Sequence, residues 1–504
     1  MAQLKQMINK NKFYIIGTLI LFLFLFYCST KLCMNVAPDE YMRYDIPLFI
    51  YNQSYLPKGD EKEILNAIWG FSYGFTPYLP SIISFFFMKI ASIFTTAPVH
   101  LLIVARLTSV LAGALTFFVC CKIGEEIFNH KMTIYLFAIF VSLLPQFMYL
   151  SLYLNNDSFS IFTTALIVYG WIKGIKTNWN CKWCIFLGVA IGLCALTYYN
   201  AYGFILCSII VYCMSSYKLH FTFNEFLKKG FLIAIAALVV GGWFFIRNAM
   251  IHNGDFLGMN SMYDCGEKYA MPGYQLSQRD TYQNQGISVF SMIFDTNWII
   301  TTIKSFICTT GYMQYMISGK RFYLYLIIIL FGMIMMLIAL KRKYQFKFKF
   351  ENYFIICLIL CILTPIILSI KYSYSIDYQP QGRYIVSILI PIALFMSIGY
   401  EYFSEFIENK IQIKSRYIEL SMIGIYILLF VIFCPVISGL FSCCCVSTTV
   451  FLSAMIKHTS KVGNRRLDAS KQFSEKFFSG RNACQCLNTC LIVIVTFNDT
   501  CYQL

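Results

Sequence analysis

The sequence predicts an all-α, polytopic membrane protein of about 11 transmembrane helices, and three observations predict it. Apolar residues make up 58% of the 504 residues and charged residues only 13%, where a soluble domain carries about a quarter. The mean hydropathy is +0.64. The apolar residues fall in long runs separated by polar loops, and lysines gather in some of those loops and avoid others. A soluble fold is excluded, because too little polar surface exists to keep such a chain dissolved. The net charge of +16 sits in short lysine clusters, so nucleic acid is not expected as a partner.

The first span runs over 13–33, preceded by Lys5, Lys10 and Lys12, which predicts a cytoplasmic N-terminus. No small-residue cleavage site follows it, so it reads as a retained anchor. Further apolar runs lie at 80–97, 99–121, 132–151, 158–174, 183–198, 201–217, 230–248, 322–340, 352–370, 384–402 and 417–440. Lysine and arginine clusters follow the runs ending near 121, 174, 217, 340 and 402. All of these face the cytoplasm only if 80–97 does not cross, so that run is predicted to lie along the outer face as an amphipathic or juxtamembrane helix. The remaining runs cross a cell membrane, within a polytopic domain spanning 1–440.

The same alternation puts loops 34–98 and 249–321 outside, together with the Asn155-Asn156-Asp157 turn and the stretch 371–383. Acidic residues and isolated arginines collect on this face. The tail 441–504 differs abruptly: it is Cys-rich, with seven of the 21 cysteines, and its apolar run 487–497 is too short to span. No function is assigned to it. Cys181 and Cys184 form one CxxC pair without a second ligand pair, which favours a structural role over metal or redox work. No Walker loop, dinucleotide glycine motif or HExxH sequence occurs.

The candidate residues lie on the outer face. Asp39-Glu40 follows the first span directly, where a membrane enzyme meets both a lipid-held substrate and water; a carboxylate there can act as general base. Asp157-Ser158 is placed to cap a helix, and Asn156 and Asp157 to orient a substrate as well. Arg106 stands in an otherwise apolar span and needs a first-loop carboxylate, a phosphate or a route to the surface. Arg247 ends the span 230–248 as an interfacial anchor or a phosphate ligand. Arg383 follows Gly382 at the start of a helix, where the dipole disfavours a cation and a bound anion would relieve it. With no nucleotide site, an activated donor must carry its own leaving group.

These motifs in this order resemble the C-type membrane glycosyltransferase superfamily over about 13–440: the Pro-Asp-Glu loop, Ala105-Arg106-Leu107-Thr108-Ser109, the Asn-Asn-Asp turn, Trp243 four residues before Arg247-Asn248, and Gln381-Gly382-Arg383-Tyr384. They are most similar to a bacterial membrane family whose first loop reads Pro-Pro-Asp-Glu-x-x-His, here with Ala37 for the first proline and Arg43 for the histidine. Protein O-mannosyltransferases and aminoarabinose transferases belong to the same superfamily. The resemblance implies transfer of a sugar from a polyprenyl-phosphate donor to a glycan, lipid or protein acceptor of the cell envelope. It implies Asp39 as base with Glu40 as its partner, Arg383, Arg247 and Arg106 on the donor phosphate, and Asp157, Asn156 and Arg43 near the acceptor. Some members need a divalent metal and others do not, so Mg2+ or Mn2+ held by Asp39, Glu40 and Asp157 stays open. Two other classes also stay open: a transporter of lipid-linked sugars, which would show internal repeats, and a noncatalytic envelope-assembly subunit.

Overall fold

The computed structural model describes residues 11–317 and 319–431; the last part of the run 417–440 and the tail 441–504 lie outside the described residues. Helix dominates, as the long apolar runs require, because only a helix satisfies its own backbone polar groups in lipid. In chain order the helices are α1 (Lys12–Lys31), α2 (Glu40–Gln53), α3 (Leu79–Ala91), α4 (Pro98–Ile127), α5 (Lys131–Ser142), α6 (Pro145–Leu150), α7 (Asp157–Lys176), α8 (Cys181–Ala195), α9 (Tyr199–Lys218), α10 (Phe223–Ile251), α11 (Met259–Tyr269), α12 (Val289–Asp295), α13 (Trp298–Ile307), α14 (Gly319–Lys341), α15 (Asn352–Ser375), α16 (Gly382–Ile411) and α17 (415–431). A two-stranded antiparallel hairpin, β1 (Thr309–Thr310) with β2 (Tyr315–Met316), sits between α13 and α14.

Among the described residues, 8 helices are long and apolar enough to cross a membrane: α1, α4, α7, α9, α10, α14, α15 and α16. The chain is a multi-pass membrane protein. The expected span 132–151 is divided into α5 and α6, because Pro145 cannot continue the α5 ladder and opens a new helix instead. The expected span 183–198 is the 15-residue α8.

The helices sort the loops into two ends. Asn11, before α1, meets Lys122 near the end of α4, whereas Leu32, after α1, meets Arg106 near the start of α4. The intervening segment 32–97 therefore stays at one end, and α3 does not traverse the bundle. The long segment 252–317 folds over that same loop-rich end: Met271 N–H donates to the Ile68 carbonyl at 3.0 Å, and Asn248 Nδ2 to the Phe75 carbonyl at 2.9 Å. Lysines hold the other end. Lys173 and Lys176 pair with Glu126 at 2.9 and 3.0 Å, Lys218 pairs with Glu351, and Lys229 binds the Asn178 carbonyl.

Packing varies with position. The candidate spans α1, α10 and α14 are mostly exposed in the chain alone, so lipid is their neighbour; α16 is almost wholly buried and forms the centre. It approaches α14 closely at Gly399, where a Cβ would lie 2.0 Å from the Gly332 carbonyl oxygen. Small residues at a crossing bring two helix backbones into contact, which is how helices associate without a hydrophobic drive in lipid.

Candidate active site

The site forms where α2, the turn before α7 and the start of α16 meet. Asp39 precedes α2 with a left-handed backbone, φ 62° and ψ 5°. Asp tolerates this region better than most residues, yet it is a strained conformation, and it turns the Asp39 side chain away from that of Glu40.

The two neighbouring acids consequently meet different partners. Glu40 is fully buried, and its oxygens accept from Arg106 Nε and Nη2, both at 2.7 Å. Its Oε1 also accepts the Leu154 N–H at 3.2 Å. Arg106 Nη1 donates to the Ser29 and Leu32 carbonyls at 2.8 and 2.6 Å, and Nη2 to that of Cys33 at 3.4 Å. All five guanidinium N–H groups are thus engaged. Of the outlets open to Arg106, the structure takes the first-loop carboxylate. Arg106 thus has no N–H left for a phosphate in this structure, while Glu40 accepts three hydrogen bonds and keeps one acceptor site on Oε2.

Asp39 pairs with Arg383 through Oδ2 and Nη2, and it accepts the Tyr73 hydroxyl as well. Burial alone would raise its proton affinity; the Arg383 guanidinium beside it, with Arg43 and the Tyr73 hydroxyl, outweighs burial and holds the carboxyl below its ordinary value. Arg43 stacks on the Tyr73 ring with its guanidinium carbon 3.6 Å from the centroid. Asp157 lies within electrostatic reach of Arg383, Arg43 and Asp39. Its carboxylate is only 7% exposed and takes no hydrogen bond from the described residues. The expected capping role falls instead to Asn155, whose Oδ1 accepts the Ser158 N–H at 3.0 Å. Two cations and two carboxylates are therefore electrostatic neighbours here.

Arg383 is positioned by its neighbour. A Cβ on Gly382 would lie 2.0 Å from the Phe306 nitrogen, so only glycine lets the start of α16 press on α13. The Gly382 N–H donates to Ser305 Oγ at 2.9 Å. Arg383 then lines a small, partly open cleft with Pro38, Gln146, Tyr149, Tyr153 and Gln381.

Two expected residues stand apart. Arg247 Nη2 donates to the Leu56 and Pro57 carbonyls, both at 2.9 Å, and so pins the first loop. Asn156 Nδ2 donates to the Pro77 and Thr197 carbonyls at 3.0 and 2.8 Å. Tyr73 was not anticipated; it lies in a Gly-Phe-Ser-Tyr-Gly run that carries no chemical signature. For a divalent metal the donor set does not fit. Both Glu40 oxygens are paired with Arg106, and among the described residues no group of three His, Cys, Asp or Glu side chains could hold a metal ion.

Residues 80–243 match the family of dolichyl-phosphate-mannose-protein mannosyltransferases. This is less than half of the chain; it includes Arg106, Asn156 and Asp157 but neither Asp39 nor Arg383. The match supports the C-type superfamily resemblance drawn from the motifs. Among solved structures, the chain is similar to ArnT from Cupriavidus metallidurans bound to undecaprenyl phosphate, at 12% identity over 77% of this chain and 60% of that one, with a TM-score of 0.48. It is also similar to the Archaeoglobus fulgidus oligosaccharyltransferase tethered to an acceptor peptide, at 14% identity over 82% of this chain and 55% of that one, TM-score 0.45. The same organism's AglB, in complex with an inhibitory peptide and a dolichol-phosphate, shares 14% identity over 82% and 55%, TM-score 0.41. The chain thus spans about 60% of the length of the first of these. No curated protein matches it.

Proposed function

We propose that the chain is a membrane glycosyltransferase that moves a sugar from a polyprenyl-phosphate donor to an envelope acceptor on the extracytoplasmic side of the cell membrane. The observation that carries this reading is the Asp39–Arg383 pair beside Asp157 and Arg43, at the loop-rich end of a multi-pass bundle. A sugar phosphate transfer needs a base for the acceptor hydroxyl and a cation for the departing phosphate. Both groups stand here within one hydrogen bond of each other. The sidedness follows from charge: the lysine-rich loops have the composition of cytoplasmic loops, so the site end lies outside.

In this reading Asp39 removes the acceptor proton as the acceptor oxygen attacks the anomeric carbon. Arg383 binds the phosphate. Asp157 and Arg43 orient the reacting groups, while Glu40 with Arg106, Arg247 and Asn156 hold the loops that position them. The lipid tail stays in the bilayer.

The test uses the full chain in proteoliposomes with a polyprenyl-phosphate sugar and measures sugar transfer. Asp39→Asn keeps size and hydrogen bonding but cannot take the proton, so turnover should fall by about 10²–10⁴-fold with the protein still folded. Arg383→Ala should weaken donor binding, by about tenfold or more. Undiminished transfer in both variants would remove this site from the reaction. Comparison of envelope glycans with and without the gene would identify the acceptor.

A further inference from the structure

We infer that Arg383 is shared between two anions: it holds Asp39 while the donor is absent and passes to the donor phosphate on binding, so that donor binding itself releases the base. This rests on the glycosyltransferase reading above and adds to it an order of events.

The contrast between two arginines carries the inference. Arg106 has a partner for each of its five N–H groups, all from the protein. Arg383 is nearly as enclosed, with a side chain 14% exposed, yet its bonds among the described residues run only from Nη2, to Asp39 and to the Tyr384 hydroxyl at 3.5 Å. Its Nε and Nη1 hydrogens are left for something else, and the group lines the cleft. An enclosed guanidinium with unfilled donors is built for an anion that the protein does not supply. Both bidentate edges of the fork include Nη2, whose two hydrogens go to Asp39 and to the Tyr384 hydroxyl, so a phosphate that takes the fork bidentately competes for Nη2 with the partners it now holds.

The competition has a chemical consequence. A carboxylate held by a guanidinium is a weak base, since the pairing stabilises its charged form. Asp39 then loses its ion pair and keeps the Tyr73 hydroxyl and the nearby charge of Arg43 once Arg383 turns to phosphate. The step balances. The acceptor O–H gives its proton to Asp39, the acceptor oxygen bonds the anomeric carbon, and the carbon–oxygen bond to phosphate breaks with its electron pair leaving on the phosphate. The phosphate gains one negative charge as Asp39 loses one, so the charge of the pocket is unchanged through the reaction. Without donor, Asp39 stays paired and does not activate water.

The experiment measures binding of a sugar-free polyprenyl monophosphate to the full chain in nanodiscs. If Arg383 is shared, Asp39→Asn binds this probe more tightly than wild type, by about tenfold, the size of one charge-assisted contact that no longer competes. Equal or weaker binding by Asp39→Asn, with wild type binding well, overturns the sharing and leaves the glycosyltransferase reading standing. Absence of binding by both proteins overturns the reading and the sharing together. A second measurement needs no variant. Modification of Asp39 by a hydrophobic carbodiimide, which attacks protonated carboxyls, should increase when the monophosphate is added to wild type; unchanged or reduced labelling also overturns the proposal.

Discussion

Two adjacent acids, Asp39 and Glu40, take different arginines as partners. Glu40 and Arg106 form a buried bidentate pair that fastens the end of α1, the start of α2 and the bend within α4. Removing one partner from such a pair strands the other charge, which typically costs about 3–5 kcal/mol. Arg106→Leu should therefore lower the thermal midpoint in detergent sharply. Arg106→Met combined with Glu40→Met should restore most of that loss, because no charge is then left unpaired. Recovery no greater than the single variant's would show that the pair is not a self-contained unit. An acid pair beside the bilayer was legible in the sequence, and so was the need of Arg106 for a partner. Which acid takes which arginine was not, because that choice depends on the left-handed turn at Asp39 and on pairings across 66 and 344 residues. Arg247 and Asn156 show the same limit: each lies in a recognisable motif, yet each spends its donors on loop carbonyls.

At the scale of elements, α16 carries Arg383 at one end and is clamped against α14 lower down. The clamp is the backbone contact of Gly399 with Gly332. Gly399→Val would force the two helices apart, an overpacking strain of about 1–3 kcal/mol. The shift is transmitted along a rigid helix to Arg383, so sugar transfer should fall along with the thermal midpoint. Gly424→Val, at a position where an added Cβ meets nothing within 4 Å, serves as the control and should leave both unchanged. The long apolar runs were legible from hydropathy. The division of 132–151 at Pro145 could have been read from the proline alone. The small helices α11, α12 and α13 could not, since their apolar faces are short and are set by packing on the first loop and on α16.

For the whole molecule, the lysine-rich end has its own fastening. His130, between α4 and α5, has Nδ1 2.7 Å from Glu419 of α17 and Nε2 3.4 Å from Glu405 of α16. Glu401 accepts the backbone N–H groups of Asn129 and His130. Both ring nitrogens face carboxylate oxygens, so the imidazolium form suits the site. The hydrogen bond that His130 donates to Glu419, working against partial burial and helped by the charges of Glu419, Glu401 and Glu405, raises His130 to about 9. A folded-state value above the unfolded one, about 6.5, means that the folded form holds its proton more tightly. The stabilisation is complete below about pH 6.5 and is lost as pH rises through about 9. The thermal midpoint of wild type should drop between pH 6 and 9.5 relative to His130→Gln, in which that part of the slope is absent. Parallel pH profiles for the two proteins would contradict this.

The span of 344 residues between Asp39 and Arg383 also bears on how the protein is made. Asp39 leaves the ribosome just after the first helix, but Arg383 follows only when α16 is synthesised. At about 5–20 residues per second, that interval is roughly 20–70 s. No partial product that ends before α16 has both members of the pair, so a ribosome-stalled or truncated chain of that length carries Asp39 without Arg383 and should show no sugar transfer in the proteoliposome assay.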